Sequence, residues 1–76
     1  MSPTFEKPEI ARLQKYLRDK FGNPKLTLVE RKGTRDSVEV EMDGEFIGTV
    51  YKDAEDGEVS YDFNMAILGV DLPDAA

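Results

Sequence analysis

The chain has 76 residues, with 16 Asp and Glu against 10 Lys and Arg, a formal net charge of −6, and neither cysteine nor histidine. This length predicts a single domain over residues 1–76, with an ordered core over about residues 8–72. Without histidine or cysteine, the chain lacks disulfides, thiolate nucleophiles, Ser–His–Asp catalysis and the commonest zinc ligands. We therefore expect a protein that is not an enzyme and that holds no cofactor and no metal.

The N-terminal part predicts an irregular arm over residues 1–7 and a helix over residues 8–21. The apolar residues of the helix recur at spacings of three and four, which places them on one face. They are Ile10, Leu13, Leu17 and Phe21. Pro8 fits the first helical turn, and Gly22 with Pro24 is typical of a helix end.

Four strands are predicted after the helix, at residues 25–31, 37–42, 45–52 and 58–68, followed by a tail over residues 69–76. The second strand alternates strictly, with Val38, Val40 and Met42 on one face, as in a half-buried antiparallel strand. Short turns between successive strands favour neighbouring positions in the sheet. The predicted fold is α+β, an N-terminal helix packed on a four-stranded antiparallel meander sheet (α-β-β-β-β).

The Asp43-Gly44 pair is typical of a β-hairpin and leaves two registers open. A two-residue loop pairs Val40 with Ile47, whereas a three-residue loop pairs Val40 with Phe46. In both registers, two large apolar residues of the third strand lie on the face away from Val40. The tail or the Phe5 arm covers that face, or a partner does.

We predict that this third strand supplies the contacts to a partner, either a second copy of the chain or another protein. The predicted contact residues are Phe46, Ile47, Val50 and Tyr51.

Charge is divided unevenly along the chain, with a net +5 over residues 1–35 and −11 over residues 36–76. The two runs are either solvated faces or unlike faces that support self-association. Arg12, Lys15 and Arg18 form a possible basic face of the helix. Because the whole chain is acidic and Glu39 and Glu41 repel phosphates, nucleic acid is not the expected partner.

An acidic cluster surrounds Gly57 and raises the possibility of a cation site. It consists of Asp53, Glu55, Asp56 and Glu58. An EF-hand loop beginning at Asp53 has Gly57 at position 5 and Asn64 at position 12, so the template fails. We interpret the segment as a solvated turn and predict no metal site there.

Several short motifs carry a resemblance to a known family. They are Pro8-Glu9-Ile10, Tyr16-Leu17-Arg18, Phe21-Gly22-Asn23-Pro24, Glu45-Phe46-Ile47-Gly48, Asp56-Gly57-Glu58 and the run Phe63-Asn64-Met65-Ala66-Ile67-Leu68. Over roughly residues 8–72 the chain resembles domain-of-unknown-function family 3126, short alphaproteobacterial proteins. The resemblance implies a one-domain bacterial cytosolic protein, and it implies no activity.

Three functions stay open at this point. The first is a small, non-catalytic protein-interaction module, either a homodimer or an adaptor for another protein, which the apolar third strand and the charge division favour. The second is a nucleic-acid or ribonucleoprotein accessory that uses the basic helix face, and the third is a carboxylate-based metal-binding or enzymatic domain around residues 53–58. The first four residues carry no apolar leader and residues 65–70 are too few to cross a bilayer, so we expect a cytoplasmic protein without a membrane partner.

Overall fold

A computed structural model of the chain describes residues 4–55 and 57–74. Its elements are α1 (Lys7–Phe21), β1 (Leu26–Glu30), β2 (Ser37–Met42), β3 (Glu45–Glu55), β4 (Glu58–Asn64) and a short 3₁₀ turn (Gly69–Asp71). The strands pair antiparallel in the order β1-β2-β3-β4. This confirms the predicted α+β fold, a helix followed by a four-stranded meander.

Helix α1 begins one residue before the predicted start and ends at the predicted residue. The amide of Glu6 donates to Glu9 Oε1 at 3.1 Å, which satisfies one backbone donor just ahead of the first turn. Gly22 adopts a left-handed conformation, with φ of 64°, and its amide bonds the carbonyl of Arg18. The local signals at both ends therefore determine where the helix begins and ends.

The core lies between one face of the sheet and α1. Its buried apolar side chains are Phe5, Leu17, Leu26, Leu28, Val38, Val40 and Val50. Phe5 extends the core upstream of the predicted range 8–72, because its ring is buried and its amide donates to the carbonyl of Arg35 at 2.7 Å. The described part of the arm, from residue 4 onward, therefore packs on the α1 side of the sheet and not on the other face.

The β2–β3 hairpin has a two-residue loop, but neither predicted pairing of Val40 is correct. Asp43 and Gly44 both have positive φ, 55° and 80°, as a type I′ turn requires. A β-bulge at Ile47 then shifts the register, so that Val40 lies opposite Gly48. The extra residue changes the face of the sheet on which each later residue of β3 lies, and it places Val50 in the core.

This register corrects part of the predicted contact set. Val50 is 1% exposed and lies in the core on the α1 side of the sheet, so it does not belong to the exposed surface that carries Phe46. Ile47 is half-buried against the core. Phe46, which is 57% exposed, and Tyr51 lie on the face of the sheet away from α1, which we call the outer face.

The second hairpin and the chain after it also differ from the prediction. Strand β3 continues to Glu55, three residues beyond the predicted end. Strand β4 ends at Asn64 instead of residue 68, and Asn64 pairs with Thr49. The bulge lies immediately upstream of Thr49 on β3, and the bend that a bulge introduces explains why pairing stops there.

The molecule is elongated, with extents of 47 × 24 × 23 Å and a radius of gyration of 14.0 Å. A compact chain of this length has a radius of gyration of about 11 Å.

No helix within the described residues has the length and apolar character that crossing a bilayer requires. The cytoplasmic location stays a prediction.

Candidate functional site

A cleft of about 470 Å³ lies between α1 and β4. A helix is about 10 Å across and strands lie about 4.8 Å apart, so one helix covers only about two strands. Helix α1 packs most closely on β1, at the far edge of the sheet from β4. The α1 face of the sheet is therefore open beside β4.

Apolar side chains form the floor and walls of this α1–β4 cleft. They are Leu13, Tyr16, Leu17, Val50 and Phe63. Phe63 also packs edge to face against Phe21, with ring centroids 6.1 Å apart, which fixes one wall. The cleft is thus a preformed apolar surface, a feature typical of binding sites.

Three polar residues, Glu9, Arg12 and Tyr61, line the cleft beside the apolar ones. Lys52 Nζ donates to Glu9 Oε1 at 2.8 Å and to the carbonyl of Thr4 at 2.9 Å. The hydroxyl of Tyr61 donates to Glu9 Oε2. The side chains of Glu9 and Lys52 are only 15% and 13% exposed, so the pair is well shielded from water.

The electrostatics of this cluster favour an ionised Glu9 and a neutral Tyr61. Burial alone raises the pKa of Glu9, but hydrogen bonds from Lys52, Tyr61 and the Glu6 amide outweigh it and hold the pKa below its ordinary value of 4.5. Burial and the hydrogen bond to Glu9 raise the pKa of Tyr61 to about 12. A carboxylate with a lowered pKa and both oxygens engaged is a weak base, so we interpret the cluster as a clamp that joins the N-terminal arm, α1, β3 and β4.

The chain after β4, residues 65–74, exposes a row of large apolar side chains. We call it the C-terminal segment. Met65, Ile67, Leu68, Val70 and Leu72 are all more than half exposed, and Val70 reaches 89%. The segment also carries Asp71 and Asp74 and no basic residue. Side chains of this kind are normally buried, so such a continuous apolar row indicates an interaction surface.

The outer face carries a second, shallower groove of about 620 Å³. Phe46 and Tyr51 line it together with Met65, Leu68 and Asp71 of the C-terminal segment. The segment therefore reaches the outer face, as one of the predicted coverings required, but Phe46 and Tyr51 stay exposed beside it. Their role as partner contacts, with that of Ile47, stays a prediction.

The predicted basic face of α1 is divided between two flanks of the helix. Arg12 lines the α1–β4 cleft. Lys15 and Arg18 line a depression on the other flank, where Lys15 pairs with Asp19 at 3.3 Å. The Arg18 Nε donates to the carbonyl of Leu26 at 2.6 Å, so this guanidinium holds α1 to β1.

The acidic cluster around Gly57 lies at the β3–β4 hairpin, where Glu55 pairs with Glu58. Asp56 lies outside the described residues. Within residues 4–55 and 57–74, no group of three or more acidic side chains is arranged to hold a metal ion.

Of the predicted site residues, Arg12 and Val50 line the cleft, and the other residues of its lining were not predicted as part of a site. Val59, Tyr61 and Phe63 alternate on the core-facing side of β4, and the clamp residues Glu9 and Lys52 carried no motif. One signal was present. A single helix of this length is too narrow to cover four strands, so some core-facing residues had to remain open.

Comparison with known proteins gives one match. The family model described as "Protein of unknown function (DUF3126)" matches residues 9–71. No curated protein and no solved structure shows a significant similarity to the chain. Because the family match covers most of its length, the chain belongs to the DUF3126 family.

Proposed function

We propose that this member of the DUF3126 family is a non-catalytic protein-interaction module that works as a homodimer. The observation that carries the proposal is the total surface left exposed, which includes the large apolar side chains of the C-terminal segment. A monomeric protein of 8.6 kDa exposes about 4,700 Å². This chain exposes 6077 Å², roughly 30% more than that scaling gives.

The surplus is large enough for a stable interface. A standard interface takes about 800 Å² from each partner, and the surplus is roughly 1,400 Å². The exposed surface includes the apolar side chains that the core of an interface needs, at the α1–β4 cleft and in the C-terminal segment. A second copy is a suitable partner on size alone.

Charge favours a second copy over an unrelated protein. Helix α1 has a net charge of +3, whereas the chain from residue 36 onward has a net charge of −11. A two-fold dimer that places the basic helix of one copy beside the acidic part of the other makes this favourable contact twice. The same chain therefore supplies both complementary surfaces.

Light scattering coupled to size-exclusion chromatography tests the proposal. We expect a mass of about twice 8.6 kDa at high protein concentration, with the single-chain mass emerging on dilution. The urea midpoint for unfolding should rise with protein concentration, because association stabilises the folded chains. A single-chain mass at the highest soluble concentration would overturn the proposal.

A further inference from the structure

We infer that the dimer forms by reciprocal exchange, in which the C-terminal segment of each copy docks into the α1–β4 cleft of the other. The inference rests on the proposed homodimer and names its contact surface. It matches Val70, the most exposed large apolar side chain among the described residues, with the apolar α1–β4 cleft.

Beyond Met65, which also lines a small apolar pocket with Phe21 and Phe63, the segment passes to the side of the sheet opposite the cleft. The C-terminal segment leaves β4 beside Gly48, and Leu68 and Asp71 line the groove on the outer face. The cleft opens on the α1 face instead. In this arrangement a chain does not fill its own cleft, so the occupant comes from another molecule.

The chemistry of the two surfaces is complementary. Leu13, Tyr16 and Phe63 offer an apolar wall that suits Val70 and its apolar neighbours. Arg12 lines the same cleft and has no ion pair with another described residue, while Asp71 directly follows Val70 and likewise has none. A docked Val70 would bring Asp71 toward Arg12 of the other copy.

The segment is long enough for this exchange. Val70 lies six residues beyond the end of β4, so it can stand up to about 20 Å from that strand when the chain is extended. The short dimensions of the molecule are 24 and 23 Å, so Val70 can reach well onto the surface of a neighbouring copy. A two-fold axis repeats the contact, so each dimer contains it twice.

Charge reversal tests the contact through the dissociation constant of the dimer, measured by sedimentation equilibrium. The variants are Arg12→Glu, Asp71→Arg and the double variant, with Lys32→Glu as the matched control. Lys32 is exposed in the turn between β1 and β2, away from the cleft, and gives the same charge change as Arg12→Glu. Circular dichroism checks that each variant is folded.

We expect each single variant to weaken the dimer about tenfold, because an attraction becomes a repulsion and the contact occurs twice in each dimer. The double variant should recover to within about twofold of the wild-type constant, and the control should stay within the same range. Asp71→Arg is the decisive single variant, since this side chain is exposed and we expect its reversal to leave the fold intact.

The outcomes separate the two proposals. Single variants that dimerise as tightly as the wild type, or a double variant no tighter than the singles, would overturn the exchange while the homodimer stands. A wild-type chain that stays monomeric would overturn both the exchange and the homodimer.

Discussion

Replacing Gly48 by Ala perturbs the point where the chain passes from β4 into the C-terminal segment. A Cβ at this position would lie 2.5 Å from the carbonyl oxygen of Asn64 and 2.6 Å from a ring carbon of Phe63. It would also lie 3.3 Å from the Cα of Met65. The ring can rotate, but the Asn64 carbonyl belongs to the backbone of β4, so the strand itself must move.

The size of the effect follows from these contacts. Overpacking of this kind costs about 1–3 kcal/mol in free energy of unfolding. The loss of glycine flexibility in the unfolded chain offsets about 0.4–1 kcal/mol. We therefore expect a net destabilisation of about 1–2 kcal/mol, against a total stability of about 4–11 kcal/mol for a chain of this length.

Thermal and urea unfolding, followed by circular dichroism, measure this change at one fixed protein concentration. The melting temperature of Gly48→Ala should fall by about 5–15 °C. Gly69→Ala is the matched control, because no non-neighbouring atom lies within 4 Å of its added Cβ; at a concentration where the wild type is monomeric, it should stay within about 0.5 kcal/mol of the wild type. A Gly48→Ala variant as stable as this control would refute the reasoning.

Three further predictions concern the clamp. Lys52→Met should lower the free energy of unfolding, measured in urea, by about 2 kcal/mol, because it leaves the shielded Glu9 carboxylate without its cation. Adding Glu9→Gln to this variant should recover part of the loss. A Lys52→Met variant as stable as the wild type would contradict the clamp. Since the pKa of Glu9 is lowered in the folded state, Glu9 contributes its full share to the free energy of unfolding above pH 4.5, and this share is lost as the pH falls through the folded pKa. Acid should therefore destabilise the wild type more steeply than Glu9→Gln. An equal dependence of stability on pH in the two proteins would argue against the clamp. The phenolate absorbance of the wild type minus that of Tyr61→Phe should titrate near pH 12, and a difference curve centred at the ordinary value of 10.0 disproves the hydrogen bond to Glu9.

The elements and their order were predictable from local patterns. Gly22 and Pro24 end α1 because a left-handed cap and a following proline both oppose helix continuation. The alternation of Val38 and Val40 gives β2 its buried face, and the Asp43-Gly44 pair supplies the positive φ of a two-residue turn. Each of these signals acts within a few residues.

The register of β3 was not predictable from the same patterns. A bulge inserts one residue without a fixed composition, and the apolar residues on both sides of Ile47 fit either face. The bulge decides that Val50 is buried and Phe46 exposed, which corrected one predicted contact residue. Which residues of β3 are exposed on the outer face therefore depends on this one inserted residue.

The α1–β4 cleft depends on tertiary position, which no local pattern records. The apolar stripe of α1 predicts that the helix packs on the sheet, but it does not predict which two strands the helix covers. The clamp residues Glu9 and Lys52 are 43 positions apart in the chain, and only the folded structure brings them together. Phe5 joined the core for the same reason.

Isotope-filtered NMR on a mixture of labelled and unlabelled chains tests the central claim most directly, because it detects only contacts between two copies. We expect nuclear Overhauser effects from the Val70 methyl groups of one copy to the ring of Tyr16 in the other. A concentrated sample that shows no effect between copies would contradict the account.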